Sequence, residues 1–318
     1  MKLIIQIPCL NEEETLPQVL AELPTQLAGI DVIETLVIDD GSTDNTVAIA
    51  RANGATHVVS HPCNLGLAKA FQTGLDTCLR LGADIIVHTD ADNQYPARYI
   101  EALIRPILIQ KADLVIGNRP IEQIAHFSPF KRFLQRLGSR VVRTVSGTNV
   151  PDTVSGFRAY SRETALRLQM LTRFSYTLET IIHAGQLGLT IENIDIEVND
   201  PTRESRLAKN NFSFVRRQAA TILRLYAFYE PLRTFFYLSL PFFMLGIGFV
   251  LRFVIRFLTT NGNAGLIQSV VIGTGLFVVA VLVALIGILA DIIAKHRQLT
   301  EEMLYRLKKM ELEKGGRE

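Results

Sequence analysis

The stretch HTDADNQYP, residues 88–96, decides how this chain is read. It follows the apolar run Ile85-Ile86-Val87 and sets two aspartates, Asp90 and Asp92, one residue apart where that run stops. Alternate residues of extended backbone share a side, so both carboxylates project toward one crevice. Paired hard oxygen donors suit Mg2+ or Mn2+, usually with phosphate oxygens completing the shell. Gln94 adds a neutral oxygen. Taken alone, an Asp-x-Asp more often describes two solvated loop acids, so its meaning rests on what surrounds it.

Outward from this point, residues 1–120 alternate between strand-like and helix-like segments. Strands are predicted at Leu3–Cys9, Ile33–Ile38, His57–Ser60, Asp84–Thr89 and Asp113–Gly117. Helices are predicted at Glu13–Leu27, Thr43–Asn53, Ala68–Leu81 and Pro96–Ile109, the second capped by Ser42 or Thr43. That alternation implies an α/β domain with a largely parallel sheet covered on both faces. Ligands of such sheets bind beyond the carboxyl ends of the strands. Three polar clusters fall there: Asn11-Glu12, Asp39-Asp40-Gly41-Ser42 and Asp90-Ala91-Asp92. A carboxylate of the second cluster can accept a nucleobase N–H, and the same residues also describe an ordinary turn leading into a helix cap. In NLGLAKA, residues 64–70, Lys69 opens a helix, where a lysine either steadies a diphosphate or lies on the surface. Further on, residues 128–145 read as a basic helix, DTVSGFRAYSRE (152–163) mixes turn and strand signals, and a helix at 176–187 precedes a strand at 190–198.

Composition adds a second part. Of 318 residues, 48% are hydrophobic and 20% charged, too apolar for a purely soluble enzyme. The net charge of +2 offers no general field for nucleic acid. Cys9, Cys63 and Cys78 lack CxxC spacing and read as reduced core or near-core thiols. Leu3–Ile7 is too soon interrupted by Pro8 and Glu12-Glu13-Glu14 to be a signal peptide, so the first half is expected in the cytoplasm. Thr234–Leu251 and Ala264–Ala290 carry no charge, and each approaches or exceeds the roughly 20 residues of a spanning helix. Apolar residues surround all their faces, unlike the helices of a soluble core, so a two-helix membrane hairpin joined by TTNGNAG is expected. Arg216, Arg217, Arg224 and Arg233 before it, and Lys295 and Arg297 after it, place both flanks on the cytoplasmic side of the cell (inner) membrane. Arg252 and Arg256, at the far end of the first span, either snorkel to headgroups or line a helix interface. Four parts are therefore predicted: a catalytic domain over 1–210, an amphipathic interfacial helix over 211–232, two spans over 233–291, and a charged helical tail over 292–318. The tail suits a solvated or self-associating helix, and with the latter a homo-oligomer.

In order and separation, IPCLNEEETLPQVL, VIDDGSTDNT, NLGLAKA, HTDADNQYP, VIGNR and DTVSGFRAYSRE resemble the family 2 glycosyltransferases of GT-A fold. Within that family the chain looks most like dolichyl- and polyprenyl-phosphate sugar synthases, many of which end in a membrane hairpin. The resemblance implies that Pro8, Leu10, Glu12 and Asp40, with Asp39 and Ala91, line the nucleotide pocket. It implies that Asp90, Asp92 and Gln94 hold the metal, and that Arg119 and Arg158 contact phosphate, acting with Asp92 in catalysis. Lys69 would steady the diphosphate, and Glu179 would orient a sugar hydroxyl. PTRESRLAKN (201–210) is similar to a loop that brings basic residues to a phosphate, here Arg203, Arg206 and Lys209. Its Ser205-Arg206 stands where the family has Ser-Lys, and Arg and Lys are not equivalent there. The implied reaction is inverting transfer of a sugar from a UDP- or GDP-sugar to a polyprenyl phosphate, with Mg2+ or Mn2+, at the cytoplasmic membrane face. A family 2 transferase acting on a hydroxyl would need a catalytic base, for which Asp152 is the nearby candidate. A membrane scaffold without catalysis fits the intact acids and arginines poorly. A processive synthase is excluded, because its QxxRW signature needs a tryptophan and this chain has none.

Overall fold

The computed structural model describes residues 1–119, 139–140, 142–144, 146–170, 176–199, 224, 227–260 and 265–315. Two compact units emerge, Met1–Gln218 together with Met303–Glu318, and Ala219–Glu302.

The first unit is built on strands β1 (Lys2–Cys9), β2 (Val32–Asp39), β3 (His57–Ser60), β4 (Ile85–His88), β5 (Leu114–Asn118), β6 (Arg158–Ser161) and β7 (Ile191–Asp195). They form one sheet in the order β3-β2-β1-β4-β6-β5-β7. Pairing is parallel except at β6, which runs antiparallel to both β4 and β5. Apolar residues fill both faces, so the strands read as continuous hydrophobic runs. Leu3, Ile5, Ile7, Val37, Ile85, Val87 and Val115 take one face with helices α1 (Leu16–Glu22) and α4 (Ile100–Leu108). Their in-between neighbours Ile4, Leu36, Ile38, Ile86 and Leu114 are equally buried and belong to the other face. That face is covered by α3 (Leu67–Arg80), α5 (Arg162–Arg167) and α6 (Tyr176–Gln186), while α2 (Thr46–Ala52) lies against α1 and β3. Each isoleucine or leucine wholly buried here contributes roughly 1.5–3 kcal/mol.

Two helix expectations need correction. The first helix stops at Glu22, because Leu23 precedes Pro24 and is extended (φ −64°, ψ 140°), as a residue before proline prefers. The second starts at Thr46 with Asn45 in the cap position, and neither Ser42 nor Thr43 caps it. Both residues instead bind the loop after β1. Cys63 is exposed, unlike buried Cys9 and Cys78. The basic helix read at 128–145 lies largely outside the described residues.

The second unit carries α7 (Pro231–Thr259) and most of α8 (Ile267–Gly315). Both are long and apolar enough to cross a membrane, and only 11% of each apolar window is buried within the protein. A Cβ on Gly246 would lie 3.0 Å from the Gly273 carbonyl oxygen, and one on Gly273 would lie 2.9 Å from that of Gly246. Small residues thus let the two backbones touch, as membrane helices do where apolar surface gains nothing by hiding from lipid. Arg252 and Arg256 are exposed on α7 and take no part in that contact. Most of the proposed interfacial helix, 211–232, falls outside the described residues.

The end of α8 belongs to the first unit and is a docked element. Tyr305 Oη donates to Glu163 Oε1 (2.7 Å), the Arg167 guanidinium lies 4.4 Å from the Tyr305 ring centre, and Lys308 Nζ meets Asp76 Oδ1 at 2.6 Å.

Candidate active site

The crevice is made by the loops that leave the carboxyl ends of β1, β2 and β4. Cys9 pairs with Asp39, and Gln6 with His88, so all three strands end along one edge. Asn11 turns in the left-handed region (φ 55°). Its N–H donates to Ser42 Oγ (2.9 Å), its Oδ1 accepts from Thr43 N–H (2.8 Å), and the next N–H, of Glu12, donates to Thr46 Oγ1 (2.9 Å). The first two loops are therefore stitched together, with Glu12 buried and accepting from Thr15 Oγ1 at 2.9 Å. Asp44 stands beside them. Desolvation raises its carboxyl, but hydrogen bonds from Thr46 and the Glu13 N–H outweigh this and hold it below the usual value.

The two expected nucleotide-pocket aspartates are both engaged by the protein. Asp39 accepts the Ser42 N–H at 3.0 Å and so shapes its own turn. Asp40 is 4% exposed and accepts from Leu65 N–H (3.0 Å), Gly66 N–H (2.9 Å) and His61 Nδ1 (2.8 Å), fixing the loop that opens α3. Gly41 (φ +77°) is obligatory, since a Cβ there would sit 2.5 Å from the Cys63 carbonyl carbon. Lys69 is exposed on the first turn of α3, and Pro8 is buried in β1 while Leu10 is half-buried just beyond it.

Beyond β4, Asp90 and Asp92 are half-buried, and Ala91 between them is buried. Gln94 is half-buried, and its N–H donates to Asp92 Oδ1 at 3.2 Å, closing the loop over left-handed Asn93 (φ 56°). Gly156, from SGFRAY, supplies the floor. A Cβ at that position would lie 2.8 Å from Asp90 Oδ2 and 2.7 Å from Tyr176 Oη, so only a bare Cα leaves the carboxylate its place. Its N–H donates to Tyr95 Oη at 3.1 Å. Among the described residues no three His, Cys, Asp or Glu side chains form a closed cage. Two half-exposed carboxylates one residue apart, the first of them held over a bare glycine, are the donor set that an oxygen-seeking divalent ion takes when a ligand's phosphates supply the rest. The residues fit such an ion.

The arginines divide. Arg119 faces Asp152 in a fork, Nε to Oδ2 at 2.6 Å and Nη2 to Oδ1 at 3.2 Å. Asp152 is wholly buried and also accepts the N–H groups of Val154 (3.1 Å) and Ser155 (3.2 Å). Arg158, which the resemblance assigns to phosphate, is wholly buried. Its guanidinium donates to the carbonyls of Ser155 (2.8 Å), Thr177 (2.8 Å) and Thr153 (3.2 Å) and to Thr180 Oγ1, so it braces the core rather than reaching the crevice. Glu179, expected to orient a sugar, is also fully buried on α6. Arg203, Arg206 and Lys209 lie outside the described residues.

A polar group that the sequence reading passed over lies under the Asp-x-Asp. Gln6 Nε2 is 3.2 Å from His88 Nδ1, Tyr176 Oη is 2.9 Å from His88 Nε2, and Asp90 Oδ1 is 3.7 Å from the same nitrogen. Burial pushes the His88 pKa down against the pull of Asp90, leaving a neutral ring. The available signal was a histidine inside an otherwise aliphatic strand.

Comparison with known proteins bears on the family and the fold. Residues 4–168, more than half of the chain, match the family model "Glycosyl transferase family 2", and residues 230–296 match "GtrB C-terminal hairpin". An undecaprenyl-phosphate mannosyltransferase of Micrococcus luteus is 28% identical over 73% of this chain and 98% of its own length. A UDP-N-acetylglucosamine–dolichyl-phosphate N-acetylglucosaminyltransferase of Methanococcus voltae is 30% identical over 60% of this chain and 83% of its own. Glucosyl-3-phosphoglycerate synthase of Mycobacterium tuberculosis, solved with Mn2+, UDP and glucosyl-3-phosphoglycerate, superposes with a TM-score of 0.54 at 26% identity, covering 71% of this chain and 79% of that one. With its seven-stranded GT-A sheet and apolar C-terminal hairpin, the chain is a glycosyltransferase that belongs to family 2.

Proposed function

We propose that the protein transfers a sugar, with inversion, from a UDP- or GDP-sugar to a polyprenyl phosphate at the cytoplasmic face of the cell membrane. The observation that carries this reading is the state of Asp152. A hydroxyl acceptor would need a base to take its proton, and the candidate base is wholly buried, forked to Arg119 and hydrogen-bonded by two backbone N–H groups. A phosphate monoester arrives already ionised and makes no such demand. The hairpin supports a lipid acceptor, as do relatives named for undecaprenyl and dolichyl phosphate.

In this reading Pro8, Leu10, Glu12, Asp39, Asp40 and Ala91 rim the nucleotide, and Asp90, Asp92 and Gln94 hold Mg2+ or Mn2+. Bound there, the ion neutralises charge that develops on the departing diphosphate. Asp90 and Asp92 orient the diphosphate end of the donor, and Arg119, kept in place by Asp152, adds fixed positive charge beside it. Lys69 serves the same diphosphate from the start of α3. Arg203, Arg206 and Lys209 receive the lipid phosphate, so that two anions can meet. Glu12 and Asp40 do their work through loops already stitched together, which lowers the ordering cost of binding.

The test is direct. Purified full-length protein is incubated with a panel of nucleotide sugars, Mg2+ or Mn2+, and either a polyprenyl phosphate or hydroxyl acceptors. Sugar attached to the lipid phosphate is expected. Product on hydroxyl acceptors alone would overturn the proposal, and Asp92→Asn retaining full turnover would remove the metal assignment.

A further inference from the structure

The sheet carries a polar rung that the reaction as described does not use. Gln6, His88 and Arg158 pair in register across β1, β4 and β6, and all three are wholly buried. Paired residues on neighbouring strands share a face, so this polar line crosses the apolar layer under α3 and α6. Phe71 closes it from α3, with its ring 5.1 Å from His88 and stacked 4.6 Å from Tyr176. Burying polar groups costs free energy unless they are paired, and here both His88 ring nitrogens and the Arg158 guanidinium are paired. Paired polar groups directly beneath a carboxylate can hold that carboxylate in place.

His88 has a partner on each ring nitrogen, Gln6 Nε2 at Nδ1 and Tyr176 Oη at Nε2, and Asp90 Oδ1 lies 3.7 Å from that same Nε2. Tyr176 Oη and Asp90 Oδ2 border the same point above Gly156, 2.7 and 2.8 Å from where a Cβ would be, so the phenol and the imidazole stand behind one carboxylate. Gln6 Oε1 has no hydrogen-bond partner, so the side chain's one hydrogen bond is the one to His88.

We propose that Tyr176 and His88, keyed by Gln6, are positioning residues that hold Asp90 at the rim and so set the affinity of the site for its divalent ion. The proposal rests on the metal reading of Asp90 and Asp92. Residues in the shell behind a metal ligand typically change affinity about 10–100-fold when removed.

The experiment titrates Mn2+ into full-length protein in the presence of UDP or GDP, against nucleotide-only blanks, and follows free Mn2+ by electron paramagnetic resonance, with transfer measured in parallel. Tyr176→Phe deletes one oxygen and keeps the ring on Phe71, so the fold is retained. It should weaken Mn2+ binding about tenfold. Transfer should then need about tenfold more Mn2+ for half-saturation, with kcat largely restored at saturating Mn2+. His88→Gln should do likewise, and in an Asp90→Asn background Tyr176→Phe should add less than about twofold. Mn2+ affinity within about twofold of wild type in both single variants would overturn the proposal. So would an equal loss with and without Asp90. Failure of the underlying metal reading looks different: wild-type Mn2+ binding would then be absent or insensitive to Asp92→Asn, and both would fall together.

Discussion

Gly156→Ala is the sharpest probe of the crevice, because its effect follows from distances. The added Cβ would stand 2.7 Å from Tyr176 Oη and 2.8 and 3.2 Å from the two Asp90 oxygens. Ordinary carbon–oxygen contact is about 3.3–3.6 Å, so the nearest oxygens must withdraw by roughly 0.5 Å or more. The phenol is stacked on Phe71 and bonded to His88, which leaves the Asp90 carboxylate as the group that yields. A misplacement of about 1 Å at a reacting centre can cost roughly 100-fold, so half that distance predicts about a tenfold loss in kcat/KM, or ~1.4 kcal/mol. The overpacking itself costs about 1–3 kcal/mol of stability. The assay is steady-state transfer against Mn2+ concentration, with thermal unfolding as a control. Expected is a folded protein with reduced kcat/KM and a raised Mn2+ requirement. A variant within about twofold of wild type on both measures would refute the cradle reasoning.

Three further outcomes are expected. Arg158→Met should lower the melting temperature sharply, because removing the guanidinium leaves buried carbonyls unpaired at about 1–3 kcal/mol each, and donor KM in the folded fraction should not change; a donor KM effect without destabilisation would restore a phosphate role. Tyr305→Phe with Lys308→Glu should free the end of α8, read as faster hydrogen exchange or proteolysis beyond Met303, and unchanged protection would contradict the docking. Because burial lowers the His88 pKa, the unfolded chain binds a proton below about pH 6.5 that the folded one refuses, so stability should fall there by up to ~1.4 kcal/mol per pH unit. His88→Gln should flatten that slope in chemical-denaturation measurements.

Much of the molecule was legible in the residues because the strongest signals are local. The strand ends that carry Asn11, Asp40 and Asp90 were readable, since aliphatic runs broken by polar pairs admit few other meanings. The hairpin was readable from length and absence of charge. What escaped depends on which residues meet across the sheet. Nothing near Arg158 in sequence says that Thr153, Thr177 and Thr180 will close around its guanidinium, and an arginine in a glycine-flanked motif reads naturally as a phosphate contact. Asp152 resembled a free base until Arg119, more than thirty residues earlier, was seen to occupy it. The antiparallel β6 was equally hidden, because strand direction leaves no mark on hydrophobic pattern. The overlong first helix was an avoidable error, since Pro24 stood inside it.

The accessibility of one sulfur has a practical consequence. Cys9 and Cys78 are sealed in the interior, where burial keeps their thiols protonated, while Cys63 is exposed on the segment whose backbone presses against Gly41. A maleimide dye therefore finds a single reactive handle on the unmodified protein, next to the loop that Asp40 holds. With the nucleotide placed beside Asp40 as proposed, fluorescence from that dye is expected to change on nucleotide binding, with no engineered cysteine and no radiolabelled sugar.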